Sequence, residues 1–173
     1  MAATIDLGVW ERITIVVAAE FSDITDLEQM TRVILRLLVA ALLGAVLGME
    51  REHAGKAAGV RTHMLVAMGG ALFVLVPLQG GMAPEDLSRV IQGVVAGVGF
   101  LCAGTILKTK DSDDVQGLTT AAGLWMTAAI GVAAGLGREA TAMLSALLAF
   151  GVLSLERPLR RYVKRKPLAA TDE

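Results

Sequence analysis

Long apolar segments separated by short charged ones constrain this chain more than any other feature of its sequence. Five apolar segments run at about 32–49, 63–78, 89–107, 117–136 and 140–155. Each has roughly 16–20 residues, close to the ~20 that an α-helix needs to cross ~30 Å of hydrocarbon. A soluble domain would distribute its charges along the chain. The pattern predicts an all-α fold, a polytopic membrane bundle of about five transmembrane helices.

The segment before the first apolar run has a different pattern. Apolar residues recur there at helical spacing, at Val9, Trp10, Ile13, Val16, Val17 and Phe21, with Glu11, Arg12 and Glu20 between them. This spacing predicts an amphipathic helix at the membrane interface; the alternative is a loosely ordered leader. The chain is thus expected to divide into an amphipathic segment at 1–31, a transmembrane domain at 32–156 and a basic tail at 157–173.

Lysine and arginine are distributed unevenly between the two sets of loops. One set holds Arg51, Lys56, Arg61, Lys108, Lys110 and the six tail cations Arg157, Arg160, Arg161, Lys164, Arg165 and Lys166. The other set holds only Arg12, Arg32, Arg89 and Arg138. Because cytoplasmic loops carry the excess of basic residues, the N-terminus is expected outside and the C-terminus in the cytoplasm. The tail suits anionic lipid headgroups.

Glycines recur at intervals of four within the apolar segments. Three GxxxG motifs are formed, by Gly44 and Gly48, by Gly93 and Gly97, and by Gly131 and Gly135. Gly99 and Gly104 follow in the third apolar segment, which is expected to be the central, most tightly packed helix. Small residues let membrane helices approach closely, so these glycines predict helix packing and a homodimer. The alternative is a glycine-lined site for a ligand or ion.

Polar residues collect at the ends of the apolar segments. On the predicted cytoplasmic side they are Glu50, Arg51, Arg61, Thr62, His63, Thr119 and Thr120. They form either one polar site or ordinary interface residues, and His53 is interpreted as the latter. Arg36 lies within the first segment, where it either extends to the outer interface or pairs with Asp86, near Arg89.

Several classes of function have no support in the sequence. It contains no nucleophile elbow, phosphate loop or metal-spaced His/Cys set, which argues against an enzyme. No basic patch with interleaved aromatics is present, so nucleic-acid binding is not expected. The acidic segment 108–114 resembles a calcium loop only superficially, because Val115 and Gln116 stand where an EF-hand requires an acid or amide and then glycine.

Four blocks of sequence together resemble the membrane domain of the MgtC/SapB family. They are RLLVAALLGAVLGMERE, AGVRTHMLVAMGGALF, DLSRVIQGVVAGVGFLCAGTIL and VQGLTTAAGLWMTAAIGVAAGLG, in this order between about residues 32 and 137. Cys102 departs from the family pattern, which has glycine in GFLGAG. The chain also ends soon after the fifth segment, where longer members add a cytoplasmic ACT-like domain.

The resemblance implies a bacterial inner-membrane protein associated with magnesium limitation and survival in macrophages. Some members of the family act on other membrane proteins, among them the F-type ATP synthase. The family motifs fall on Glu50, Arg51, Gly59, Arg61, Thr62, His63, Asp86, Arg89, Gly97, Gly99, Phe100, Gly104, Gly117, Leu118, Thr119, Thr120 and Trp125. Two hypotheses follow. The protein is either a regulator that works through contacts of its membrane helices, or a transporter of Mg²⁺ or another cation. In the transporter hypothesis Asp86 is the outer gate and Glu50 the inner gate, and both are candidate metal ligands.

Overall fold

The structure, a computed structural model, describes residues 8–22, 27–108 and 115–155 and is built from helices. Its helices are α1 (Val9–Glu20), α2 (Leu27–His53), α3 (Val60–Gln79), α4 (Pro84–Ala103), α5 (Leu118–Gly135) and α6 (Glu139–Ser154). Two short antiparallel strands, β1 (Leu107–Lys108) and β2 (Val115–Gln116), pair between α4 and α5. The predicted all-α bundle is confirmed. The basic tail at 157–173 lies outside the described residues, as does 109–114.

Four of these helices, α2 to α5, have the length and apolar composition to cross a membrane. The fifth apolar helix, α6, has 16 residues. At ~1.5 Å per residue it is about 24 Å long, somewhat shorter than a bilayer core of ~30 Å. The five apolar segments of the sequence are therefore five helices, of which α6 is the shortest.

The chain divides into two compact units, residues 1–35 and 36–173. In the first unit the expected N-terminal helix is present as α1, where the backbone N–H of Gly8 donates to the carboxylate of Glu11 at 3.1 Å. Its apolar side chains are exposed, with Trp10 81% accessible. Such exposure of apolar side chains is typical of an amphipathic helix that lies at a membrane interface.

In the second unit α5 is the central helix. Just over half of its apolar stretch, 56%, is buried, against 17% for α4. It runs alongside α3, because a Cβ at Gly131 would collide with the carbonyl of Ala67, and one at Gly135 with the carbonyl of Ala71. The small residues of α5 continue along one face from Thr120 to Gly135, so the two backbones stay close over the whole length.

The first membrane helix packs against α3 through its own glycines. A Cβ at Gly44 would lie 2.6 Å from the carbonyl oxygen of His63, and one at Gly48 would lie 2.6 Å from Cα of Val60. Because Gly48 meets the start of α3 and Gly44 meets its next turn, α2 and α3 are antiparallel. Gly131 and Gly135 of α5 face Ala67 and Ala71 of α3 in the same order, so α3 and α5 are parallel.

The expectation that α4 would be the central helix is wrong. A Cβ added at Gly93, Gly97 or Gly99 of α4 would meet no atom of the described residues within 4 Å, and Phe100 is 86% exposed. A GxxxG motif permits close approach but does not specify which helix approaches. Here α3 fills the motifs of both α2 and α5, and the described residues leave the motif of α4 uncovered.

Candidate functional site

A group of buried polar side chains lies at one end of the bundle, where α2 and α6 end and α3 and α5 begin. We call it the polar centre; its members are Glu50, Arg51 and His63. Arg51 is fully buried: its Nε donates to Oε2 of Glu50, and its guanidinium also donates to the backbone oxygen of Leu153 at 3.0 Å. A buried guanidinium needs such compensation. Leu153 lies in the last turn of α6, so Arg51 joins α2 to the end of that helix.

Glu50 uses only one of its two carboxylate oxygens. Its side chain is buried, and Oε1 has no hydrogen-bond partner within the described residues. A buried acceptor without a donor is destabilising, and in native proteins such atoms are rare. The geometry therefore leaves a carboxylate oxygen able to accept a hydrogen bond or a cation.

His63 also has one nitrogen bonded and one without a partner in the described part of the chain. Nδ1 lies 3.0 Å from the carbonyl oxygen of Gly59, and because a carbonyl only accepts, Nδ1 carries the proton. Nε2, the nitrogen without a partner, is then an acceptor in the neutral ring. It faces α5, since a Cβ at Gly123 would lie 3.7 Å from it.

The structure brings together only part of the predicted cytoplasmic cluster. Glu50, Arg51, His63 and Thr120 are buried there, Thr62 is half-buried, and Arg61 and Thr119 are exposed. Successive residues of a helix point about 100° apart, so neighbours in sequence such as Thr119 and Thr120 face different surroundings. Four of the seven residues are thus buried, and three of them, Glu50, Arg51 and His63, form the polar centre.

At the other end of the bundle Arg36 contacts the connection between α5 and α6. Its guanidinium donates to the backbone oxygen of Gly135 at 3.0 Å and lies 3.9 Å from the carboxylate of Glu139. Asp86 lies 3.9 Å from the guanidinium of Arg89, in a pair that is mostly exposed. The suggested pairing of Arg36 with Asp86 is replaced by these two separate pairs.

The two predicted gate residues, which are also the candidate metal ligands, lie apart. Glu50 lies near the end of α2 and Asp86 near the start of α4, at opposite ends of the bundle. Among the described residues no group of three or more His, Cys, Asp or Glu side chains is placed to hold a metal ion. Their separation is what the transporter hypothesis expects of an outer and an inner gate, and a gating role for either residue stays a prediction.

An apolar groove runs between α3 and α4. Its volume is about 610 Å³, and its lining includes Leu65, Phe73, Val90 and Leu101, with Gly69, Gly93 and Gly97. We call it the α3–α4 groove. Gly99 lies on the opposite face of α4, and a Cβ at Gly104 would lie 3.3 Å from the carbonyl oxygen of Leu101. The exposed backbone of α4 is thus accessible from this groove.

Sequence reasoning missed two residues that the structure makes important. Thr127 is fully buried, and its hydroxyl donates to the carbonyl of Gly123 at 2.8 Å. Glu139 lies beside Arg36. Thr127 is an isolated threonine in an apolar run, and such a residue cannot be recognised from the sequence. Glu139 could have been recognised, because acidic residues are favoured in the first turn of a helix.

Comparison with known proteins gives one family and several relatives. The sequence model of the MgtC family matches residues 37–162. Protein SrpB of Synechococcus elongatus is 55% identical over 113 residues, 59% of this chain and 62% of SrpB. Protein MgtC of Salmonella typhimurium is 39% identical over 140 residues, 81% of this chain and 59% of its own length.

A further relative, the putative magnesium transporter YhiD of Escherichia coli, is 46% identical over 111 residues, 60% of this chain and 51% of its own length. The chain thus matches between about half and three fifths of the length of these curated relatives. No solved structure matches the chain.

Proposed function

The chain belongs to the MgtC family, and on that premise we propose that it acts in adaptation to limiting magnesium as a regulator, through contacts of its membrane helices with a partner. This is the family that the sequence blocks resemble. The protein is a multi-pass membrane protein. The inner membrane, with the N-terminus outside and the C-terminus in the cytoplasm, is the proposed location.

The observation that supports this proposal most directly is the uncovered GxxxG motif of α4. The motifs of α2 and α5 are filled by α3, but a Cβ at Gly93 or Gly97 meets nothing within 4 Å among the described residues. In lipid, helices associate by close packing at rows of small residues such as a GxxxG motif. Gly93 and Gly97 line the α3–α4 groove, so the uncovered motif and the groove form one apolar surface.

The partner in this proposal is a membrane helix. A second copy of the chain would form a homodimer through α4, and another membrane protein, such as the F-type ATP synthase named by the family resemblance, would present its own helix. Membrane lipids cover the remaining apolar surface. The polar centre has a structural role in this proposal, since Arg51 joins α2 to the end of α6, and no catalytic step is assigned to it.

Two substitutions on opposite faces of α4 test this function. Gly97→Leu fills the α3–α4 groove, whereas Gly99→Leu adds the same side chain on the other face, and neither Cβ meets a described atom within 4 Å. We expect both variants to reach wild-type levels in the membrane. Gly97→Leu should fail to restore growth of a deletion strain in low magnesium and lose site-specific crosslinks from α4, while Gly99→Leu retains both. Full function of Gly97→Leu would contradict the proposal.

Transport of Mg²⁺ is the second candidate. It is favoured by the name of YhiD, a putative magnesium transporter, and by the unpartnered carboxylate oxygen of Glu50 in the described part of the bundle. Proteoliposomes loaded with a Mg²⁺-sensitive dye separate the two functions. The regulator predicts no flux above empty liposomes. Flux that is abolished by Glu50→Ala or Asp86→Ala would instead identify a transporter.

A further inference from the structure

A second groove, distinct from the α3–α4 groove, lies between α2 and α6 beside the polar centre. It has a volume of about 470 Å³ and is lined by Val46, Met49, Glu50, His53, Phe150 and Ser154. We call it the α2–α6 groove. Three of its six residues carry atoms that bind metal ions, namely a carboxylate, an imidazole and a hydroxyl. His53, interpreted from the sequence as an ordinary interface residue, thus shares a groove with Glu50.

The spacing places both side chains on the same face of α2. Residues three apart on a helix have Cβ atoms roughly 5–6 Å apart. A Glu-x-x-His pair with this spacing is how several helical-bundle proteins present a carboxylate and an imidazole to one metal ion. Here Glu50-Arg51-Glu52-His53 is such a segment, and both end residues line the groove.

A hydrogen bond fixes the tautomer of the His53 imidazole. Its Nδ1 lies 2.7 Å from the carbonyl oxygen of Met49, so Nδ1 carries the proton and Nε2 keeps its lone pair. Metal-binding histidines usually donate their second ring N–H to a carbonyl or carboxylate in this way, which fixes the tautomer and the ring orientation. Nε2 of His53 is therefore available in the form that binds a cation.

The carboxylate of Glu50 supplies the second ligand atom. Oε2 is bonded to Arg51, but Oε1 has no partner within the described residues although the side chain is only 6% exposed. A cation at Oε1 would satisfy this buried acceptor. The neighbouring charge of Arg51 opposes any cation, so the site requires a cation that forms directed bonds rather than one held by charge alone.

We propose that the α2–α6 groove binds a divalent transition-metal cation, such as Zn²⁺ or Co²⁺, through Oε1 of Glu50 and Nε2 of His53. The hydroxyl of Ser154 on α6 and water complete the coordination. Imidazole favours these metals, whereas Mg²⁺ prefers oxygen ligands and retained water. The site is independent of the proposed regulatory function, because metal binding is measured on the isolated protein.

Titration of the purified full chain with Co²⁺ tests the site, with the visible absorption of the bound metal as readout. We expect one Co²⁺ per chain. His53→Gln should raise the Kd by roughly tenfold or more, the size of effect seen when a metal site loses even an outer partner. His53 is exposed, so this variant should fold. His53→Cys should restore binding and add a thiolate charge-transfer band, since thiolates bind these metals.

Asp86→Asn is the matched control, because Asp86 is an exposed carboxylate at the other end of the bundle. Its Kd should stay within about twofold of wild type, and a hundredfold excess of Mg²⁺ should leave bound Co²⁺ in place. Equal affinity of wild type and His53→Gln would overturn the proposal. So would displacement of Co²⁺ by equimolar Mg²⁺, or an equal loss of binding in Asp86→Asn.

Discussion

At the scale of single residues, each of the two arginines in the bundle part of α2 contacts both a carbonyl near a helix end and a carboxylate. Arg51 donates to the carbonyl of Leu153 near the end of α6, and Arg36 donates to the carbonyl of Gly135 at the end of α5. The last carbonyls of a helix have no intrahelical partner and carry partial negative charge. The carbonyls near the helix ends thus add to the compensation that Glu50 gives Arg51 and Glu139 gives Arg36.

Substitution of a glycine should affect stability differently according to whether a neighbouring helix occupies the space beside its Cα or leaves that space empty. In Gly131→Ala the new methyl group collides with the backbone of Ala67, which cannot rotate away. We expect a loss of roughly 1–3 kcal/mol in the free energy of unfolding, as for overpacked cores. In Gly93→Ala the methyl group meets none of the described atoms, and alanine is the better helix former by up to ~1 kcal/mol.

Unfolding in mixed micelles, followed by the tryptophan fluorescence of wild type and both variants, measures the two effects. Gly93→Ala is the control for the loss of glycine itself. Equal shifts in the two variants, in either direction, would show that neighbour contact does not decide the outcome.

At the scale of the element, the sequence predicts the helices well and their neighbours poorly. Apolar length and the charged segments between the apolar runs are enough to predict five apolar helices, of which four have the length to cross a membrane. Three GxxxG motifs are visible, but nothing in a motif specifies which helix fills it. The α5 helix is central because its small residues continue along one face, whereas those of α4 are followed by the large and exposed Phe100.

The candidate site is predictable only in part for the same reason. The positions of Glu50, Arg51 and His63 at helix ends identify them as candidates, and the structure buries all three together. The partners of Arg36 and Arg51 come from residues about a hundred positions later in the chain. No local pattern carries that information, because such contacts depend on how the whole bundle closes.

The contact between α4 and α5 makes a prediction about the single cysteine. Sγ of Cys102 is buried and donates to the carbonyl of Ala121 at 3.1 Å. We expect a maleimide reagent to label Cys102 at least about tenfold more slowly in the folded protein than in SDS, because the thiolate must be accessible to react.

The neighbouring position provides the control for this labelling experiment. Ala103 is exposed, so a variant combining Cys102→Ala with Ala103→Cys should react rapidly without denaturation. Labelling of native Cys102 at the rate of this control would mean that α4 does not hold its place on α5.

At the scale of the whole molecule, the distribution of basic residues predicts orientation. A fluorescent protein fused after the last residue should fluoresce, since it folds in the cytoplasm. Alkaline phosphatase inserted between α3 and α4, at residues 80–83, should be active, since it requires the outside of the membrane. The reverse pattern of activities would invert the topology and place the polar centre on the outer side.

The contacts of Arg36 and Arg51 also set an order of events during synthesis. The hydrogen bonds to Gly135 and Leu153 join residues 99 and 102 positions apart. At about 5–20 residues per second, the ribosome needs roughly 5–20 s to make that length of chain. During this interval α2 has been made but its partners at the ends of α5 and α6 have not. The bundle therefore cannot be completed from its N-terminal half alone. The hairpin of α5 and α6 is the step that ends assembly.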